Sequence, residues 1–109
     1  MYHPVFLQTE NELNKILRKQ KKSKQELAIL FTSLWDSYCQ DLIAKIRYRE
    51  LIDPVPREEA VPLYVVDSYK MPHAFVIFKT SKLPHFVYLN RSNVESVDYL
   101  PNIYEELGL

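Results

Sequence analysis

Cys39 is the only cysteine of the chain, and its type and position suggest chemistry more than those of any other residue. It lies in LFTSLWDSYCQDL, residues 30–42, where a buried strand is predicted to run through an aromatic-rich turn into a helix. A cysteine at such a turn can be a nucleophile, because a helix N-terminus stabilises the thiolate. The sequence therefore raises the question of whether Cys39 reacts or only fills space.

Three histidines could assist Cys39 or bind a metal ion: His3, His73 and His85. Their spacing does not match a metal-ligand pattern, and we predict neither a metal nor a cofactor. His73 could pair with Cys39 in space, but the apolar strand predicted to follow it favours a structural role. The sequence also lacks a glycine-rich phosphate loop and a Ser-His-Asp signature.

The composition favours one compact domain, which we predict to span residues 1–109. Fourteen basic and fourteen acidic residues give a formal charge of zero, which does not favour nucleic acid as a partner. Apolar runs are far shorter than the roughly 20 residues that cross a bilayer, so we expect no membrane segment. We expect a cytoplasmic protein, and a single cysteine is compatible with a reducing compartment.

Strand-like and helix-like segments alternate along much of the chain. Thr9 and Glu12 have capping-box spacing and predict a helix over 10–22, whose basic tail RKQKKSK we interpret as a solvated helix end or an acidic-partner patch. The apolar run ELAILFTS predicts a central strand that is covered on both faces. The other predicted segments are strands at 4–8, 61–68, 73–79 and 84–90, a helix over 34–51, and a final helix opened by Ser92 with Glu95.

We read these segments as β-α-β-α-β-β-α order, which predicts an α/β fold with a mixed central sheet. Strand, helix, strand successions imply right-handed parallel crossovers. The runs 73–79 and 84–90 are close enough to form an antiparallel hairpin at the end of this sheet.

Two motifs in this order resemble those of the thioredoxin-like superfamily. AILFTSLWDSYCQDLIAKI resembles the strand, turn and helix of the Trp-Cys-Gly-Pro-Cys motif, with Trp35 at the tryptophan and Cys39 at the second cysteine. KMPHAFVIFK resembles the Ile-Pro-Thr motif and its following strand, which implies a cis peptide bond between Met71 and Pro72. The resemblance covers roughly residues 4–107 and implies a thioredoxin-like three-layer sandwich.

The positions at which this sequence departs from these motifs argue against redox chemistry. Asp36 replaces the first, nucleophilic cysteine, Ser37-Tyr38 replaces Gly-Pro, and Leu30 replaces a buried aspartate. The resemblance implies that Cys39 lies one turn inside the helix, shielded, with a pKa of about 8.5 or higher. Asp36 suits a helix N-cap. Residues 67–72 are predicted to form only a short turn, as in glutaredoxins, where thioredoxins have a helix.

The sequence therefore predicts a protein that has lost dithiol-disulfide oxidoreductase activity and binds a protein or an extended peptide in a groove. The resemblance implies that the groove is lined by Trp35, Asp36, Ser37, Tyr38, Cys39, Met71, Pro72 and His73. One alternative is a monothiol redox protein that uses Cys39. Another is a small subunit of a larger assembly that docks through the basic helix end near Lys21 and Lys22.

Overall fold

A five-stranded mixed sheet with helices on both faces forms the fold in the computed structural model, which describes residues 1–80, 82–91 and 93–109. The strand order is β1-β3-β2-β4-β5. Strands β1, β3 and β2 run parallel to one another, whereas β4 is antiparallel to both of its neighbours, β2 and β5. The elements are β1 (Tyr2–Phe6), α1 (Glu10–Ser23), β2 (Leu27–Thr32), α2 (Ser37–Ile52), a 3-10 helix (Arg57–Glu59), β3 (Val61–Asp67), α3 (Pro72–Ile77), β4 (His85–Asn90), β5 (Asn93–Val97) and α4 (Leu100–Glu106). This architecture confirms the predicted α/β class.

Strand β2 lies at the centre of the sheet, and all six of its residues are buried. The uninterrupted apolar run predicted this position, because a strand covered on both faces has no polar side. Helix α1 begins at the predicted capping box. Its Thr9 side chain accepts the Glu12 N–H, and the Glu12 side chain accepts the Thr9 N–H.

Two apolar layers hold the helices against the sheet. Helices α2 and α4 contribute residues such as Leu42 and Ile103 to one layer, which also contains Leu30. Helices α1 and α3 contribute residues such as Leu13 and Ala74 to the other. The second turn of α2 therefore lies on the opposite face of the sheet from α3.

The prediction of a strand over residues 73–79 is wrong, because most of these residues lie in helix α3. Its inward side chains recur at i, i+3, i+4 and i+7, the spacing of a helix face: Met71, Ala74, Phe75 and Phe78 are buried or half-buried. Pro72 occupies the first helical turn, where its missing N–H costs nothing. The expected short turn over 67–72 therefore leads into a helix, and the observed order is β-α-β-α-β-α-β-β-α.

The hairpin also differs from its prediction. Strand β4 matches the run predicted at 84–90, but its partner is β5, which pairs Asn93 with Asn90 and Glu95 with Tyr88. The predicted capping box at the start of the last helix is wrong, because Glu95 lies inside β5; its other member, Ser92, lies outside the described residues. Helix α4 instead begins at Leu100 with Pro101 in its first turn, so that proline opens a helix rather than splitting one.

The cis peptide bond lies between Leu83 and Pro84, directly before β4. The prediction of a cis bond between Met71 and Pro72 is therefore wrong. Both prolines precede apolar runs, and the sequence motif alone did not distinguish the proline that opens a helix from the one that precedes a strand. Phe31 in β2 pairs with His85 in β4, so the register brings Pro84 beside the end of β2.

Candidate functional site

Five of the residues that the sequence singled out lie in the turn between β2 and α2 and in the first turn of α2. Strand β2 ends at Thr32, and helix α2 begins at Ser37. Asp36 is the N-cap of α2, and its Oδ1 accepts the Cys39 N–H at 3.0 Å. The predicted capping role of Asp36 is confirmed, and this role accounts for a carboxylate here without any catalytic function.

Cys39 is the third residue of α2, and its side chain is completely buried. Burial raises the pKa of the Cys39 thiol to about 11, because the interior does not solvate a thiolate. The negative charges of Asp36 and Asp67 also raise this pKa, whereas a backbone hydrogen bond from Ser33 acts against them. The thiol is thus neutral near pH 7.

Asp67, at the end of β3, connects the β2–α2 turn to the loop that follows β3. Its Oδ1 accepts the Leu34 N–H at 2.9 Å, and its Oδ2 accepts the Tyr69 N–H at 3.0 Å and the Lys70 N–H at 3.3 Å. The Ser68 N–H donates to the Thr32 carbonyl at 2.9 Å and ties the same two segments. Sequence reasoning missed Asp67, although a lone acidic residue directly after an apolar strand was a usable signal.

Four large side chains project from these two connected loops and from the first turn of α2. The exposed fractions are 47% for Leu34, 82% for Trp35, 62% for Tyr38 and 77% for Tyr69. We call this set the aromatic rim. Large apolar side chains exposed together commonly mark a contact surface, whereas single exposed ones are unremarkable.

The second half of the predicted groove lies elsewhere. Met71 is fully buried in the layer beneath α1 and α3, so its side chain is not available to a ligand. Pro72 and His73 are exposed at the start of α3, where the His73 N–H donates to Glu10 of α1 at 2.9 Å. Met71 therefore does not line the predicted groove, and Pro72 and His73 open helix α3 instead of a strand. Sequence reasoning assigned to Pro72 the position that Pro84 occupies beside β2.

Neither of the two histidines near this end of the sheet is hydrogen-bonded to Cys39 among the described residues. His73 belongs to α3, across the sheet from the layer that α2 covers. His85 is half-buried, with its ring centroid 6.0 Å from that of Phe31, and burial lowers its pKa. The hypothesised pairing of His73 with Cys39 has no hydrogen bond to support it among the described residues.

The space behind the aromatic rim is small. A cleft of about 90 Å3 lies between the ends of β1 and β3 and helix α2, with Thr32, Ile43 and Asp67 in its lining. Pockets that hold small-molecule ligands are typically about 300–1,000 Å3. Within residues 1–80, 82–91 and 93–109, no three His, Cys, Asp or Glu side chains gather in a way that could hold a metal ion. None of the described helices has the length and apolar character needed to cross a membrane.

Comparison with known proteins finds similarity in structure but not in sequence. No protein-family model matches the chain, and no curated protein matches it. Thioredoxin O2 from Arabidopsis thaliana superposes with a TM-score of 0.71 at 20% identity, covering 95% of this chain and 93% of that one. Thioredoxin NaTrxh from Nicotiana alata gives 0.73 at 12% identity, covering 97% and 90%. A thioredoxin from Schistosoma mansoni gives 0.69 at 16% identity, covering 97% and 94%.

Proposed function

We propose that this chain, which has the thioredoxin fold, binds a protein partner through the aromatic rim and does not exchange disulfides. One observation carries the proposal: the β2–α2 turn and the first turn of α2 expose Leu34, Trp35 and Tyr38, while Cys39 next to them in α2 is completely buried. The end of the sheet where thioredoxins carry their cysteine motif thus offers contact area here instead of a reactive sulfur.

The state of Cys39 argues against thiol chemistry. With a pKa of about 11, only about one thiol in ten thousand is ionised at pH 7. The position that holds the attacking cysteine in the resembling motif is Asp36, which caps the helix. A single cysteine also cannot cycle between an internal dithiol and an internal disulfide. These facts weigh equally against the monothiol alternative, because a buried neutral thiol does not attack a substrate disulfide.

The geometry of the aromatic rim supports protein binding. Tryptophan and tyrosine are enriched among the residues that carry most of the free energy at protein interfaces. Asp67 fixes both loops through backbone hydrogen bonds, so Trp35 and Tyr69 project from segments that are ordered before a partner arrives. Such preorganisation reduces the entropy lost on binding. The partner we propose is a protein or peptide segment with an apolar contact surface.

Selection of binding peptides tests this proposal. A phage-displayed library of short random peptides is panned on the wild-type protein, and the enriched peptides are titrated against Trp35→Ala and Tyr38→Ala. The matched control is Tyr48→Ala, which removes a tyrosine of the same helix that is 64% exposed but lies outside the aromatic rim. We expect each rim variant to weaken binding by about tenfold or more and the control to leave it unchanged.

Two results would contradict the proposal. In one, the library yields only peptides whose affinity is the same for wild type and for both rim variants. In the other, Tyr48→Ala weakens binding as much as Tyr38→Ala, which would move the contact surface to the far end of α2.

A further inference from the structure

A second surface lies at the opposite end of the sheet from the aromatic rim. The segments that precede β2 and β3 and the turn that follows β4 enclose a broad depression of about 840 Å3. Three cationic side chains line it, one from each segment: Lys24, Arg57 and Arg91. We call this depression the basic groove.

The two sides of the basic groove are held by a buried polar side chain. Gln20 of α1 is only 8% exposed, and its amide donates to the carbonyl of Arg91 at 3.2 Å and of Gln25 at 3.4 Å. Lys24, which ends α1, and Arg91 in the hairpin turn both have left-handed backbone conformations, with φ of 59° and 56°. Gln20 thus connects the two backbone segments that carry Lys24 and Arg91.

Three of the four charged residues described in the lining of the basic groove are cations. Among the described lining residues, Glu26 is the one carboxylate, and it accepts a hydrogen bond from the Tyr88 hydroxyl. A neighbouring depression shares Gln25 and Glu26 with the groove and extends it to Lys19 on α1. The chain as a whole has a formal charge of zero, so this concentration of cations is local.

The remaining lining suits a peptide. Amide groups of Gln25, Asn90 and Asn93 stand among the cations and can donate hydrogen bonds to carboxylate or backbone oxygens. Val61 and Pro62 add apolar surface for aliphatic side chains. Among the described residues, the lining of the basic groove contains no aromatic side chain, and the neighbouring depression adds one, Tyr64. Sites for single-stranded nucleic acid stack successive bases on several aromatic rings.

We propose that the basic groove binds an acidic segment of a partner protein. The carboxylates of that segment contact Lys24, Arg57 and Arg91, and its aliphatic side chains pack on Val61 and Pro62. This surface gives Lys24, the last cation of the basic tail of α1, a role that the aromatic rim does not provide. The proposal does not depend on the proposed function, because the two surfaces lie at opposite ends of the parallel strands.

Fluorescence anisotropy with a short, fluorescein-labelled peptide of alternating glutamate and valine tests the proposal. The variant Lys24→Asn with Arg91→Asn removes two cations, and asparagine adopts the left-handed conformation readily, so the fold is preserved. The control, Lys79→Asn with Lys82→Gln, also removes two charges. Lys79 has the same backbone conformation, with φ of 52°, but lies outside the groove.

We expect the peptide to bind the wild type with an affinity that falls as salt is added, and the groove variant to bind about tenfold or more weakly. The control variant should bind like the wild type. Equal losses in both variants would reduce the effect to net charge and overturn the proposal. It would be overturned as well by the absence of binding at low salt, by equal binding of a lysine and valine peptide, or by tighter binding of an oligothymidine.

Discussion

The reactivity of a cysteine depends on the solvation of its sulfur, and the sulfur of Cys39 is shielded from solvent. It is fully buried, and burial raises its pKa to about 11. The sequence predicted the direction of this effect, since Asp36 replaces the exposed cysteine of the resembling motif and Cys39 follows one turn into the helix. Leu30 agrees with that reading, because it is fully buried in an apolar layer where the motif has an aspartate.

The raised pKa predicts how stability depends on pH. In the unfolded chain the Cys39 thiol ionises at about pH 8.5, whereas in the folded protein it stays protonated up to about pH 11. Its contribution is therefore full below pH 8.5 and is lost as the pH rises toward 11. We expect the free energy of unfolding of the wild type, relative to Cys39→Ala, to fall by on the order of 1 kcal/mol between pH 8 and 10.

Urea unfolding of both proteins across this pH range gives the measurement. The comparison with Cys39→Ala removes the effects of other groups that titrate in alkali. A difference between the two proteins that stays constant with pH would mean that the thiol ionises equally in both states, and hence that it is not buried as described.

Asp67 should matter more for stability than any other carboxylate near the aromatic rim. It accepts three backbone N–H groups and is 9% exposed, so Asp67→Ala leaves three partly buried backbone donors without their acceptor. We expect a loss of about 2 kcal/mol or more, measured by thermal or urea unfolding. The matched control is Asp98→Ala, an exposed aspartate directly after β5. Similar losses for both would show that Asp67 does not hold the two loops.

For helices and strands, the predictions from sequence were correct where one pattern dominated. The capping box of Thr9 and Glu12 and the apolar run of β2 each have a single interpretation, and both elements formed with boundaries within about two residues. The segment HAFVIFK has two interpretations, because a short apolar run with β-branched and aromatic residues suits a buried strand and a buried helix alike. Its helical periodicity appears only when Met71, before the proline, is counted.

The helical conformation of α3 predicts different effects of mutations on stability from those that a strand would predict. Val76 is 71% exposed on the helix, so Val76→Ser should change the free energy of unfolding by less than about 0.5 kcal/mol. Phe75→Ser should cost about 2 kcal/mol or more, because the ring of Phe75 packs edge-on against Phe31 with centroids 5.0 Å apart. Unfolding in urea measures both. A large cost for Val76→Ser would indicate that this segment is buried on both sides, as a central strand would be.

The basic end of α1 should contribute little to stability. Lys19, Lys21 and Lys22 are all exposed, and exposed charges away from caps usually change stability by less than about 0.5 kcal/mol. We expect the triple replacement by glutamine to leave the melting temperature nearly unchanged. A large decrease would show that this tail packs against other parts of the chain, and it would also weaken the case for a basic surface open to a partner.

For the whole molecule, the fold could be predicted more completely than the site. The first five elements, in β-α-β-α-β order, and the WDSYC stretch were sufficient to indicate a thioredoxin-like fold, because topology tolerates sequence change far better than a site does. The cis bond expected at Pro72, the strand predicted over 73–79 and the predicted start of the last helix were wrong. Prediction of the site would have required knowing which loops lie next to each other in the fold. Asp67, Tyr69 and Pro84 reach the end of β2 only through the sheet register, and no local pattern in the sequence connects them with Trp35.

The absence of disulfide exchange is the central claim of this account, and reduction of insulin by dithiothreitol tests it most directly. We expect wild type and Cys39→Ser to leave the rate at the uncatalysed background, since the thiol is buried and neutral. Asp36→Cys should restore partial activity at best, because Leu30 cannot relay a proton and Ser37-Tyr38 replaces Gly-Pro. A wild-type rate well above background that Cys39→Ser abolishes would contradict the account and establish Cys39 as a working thiol.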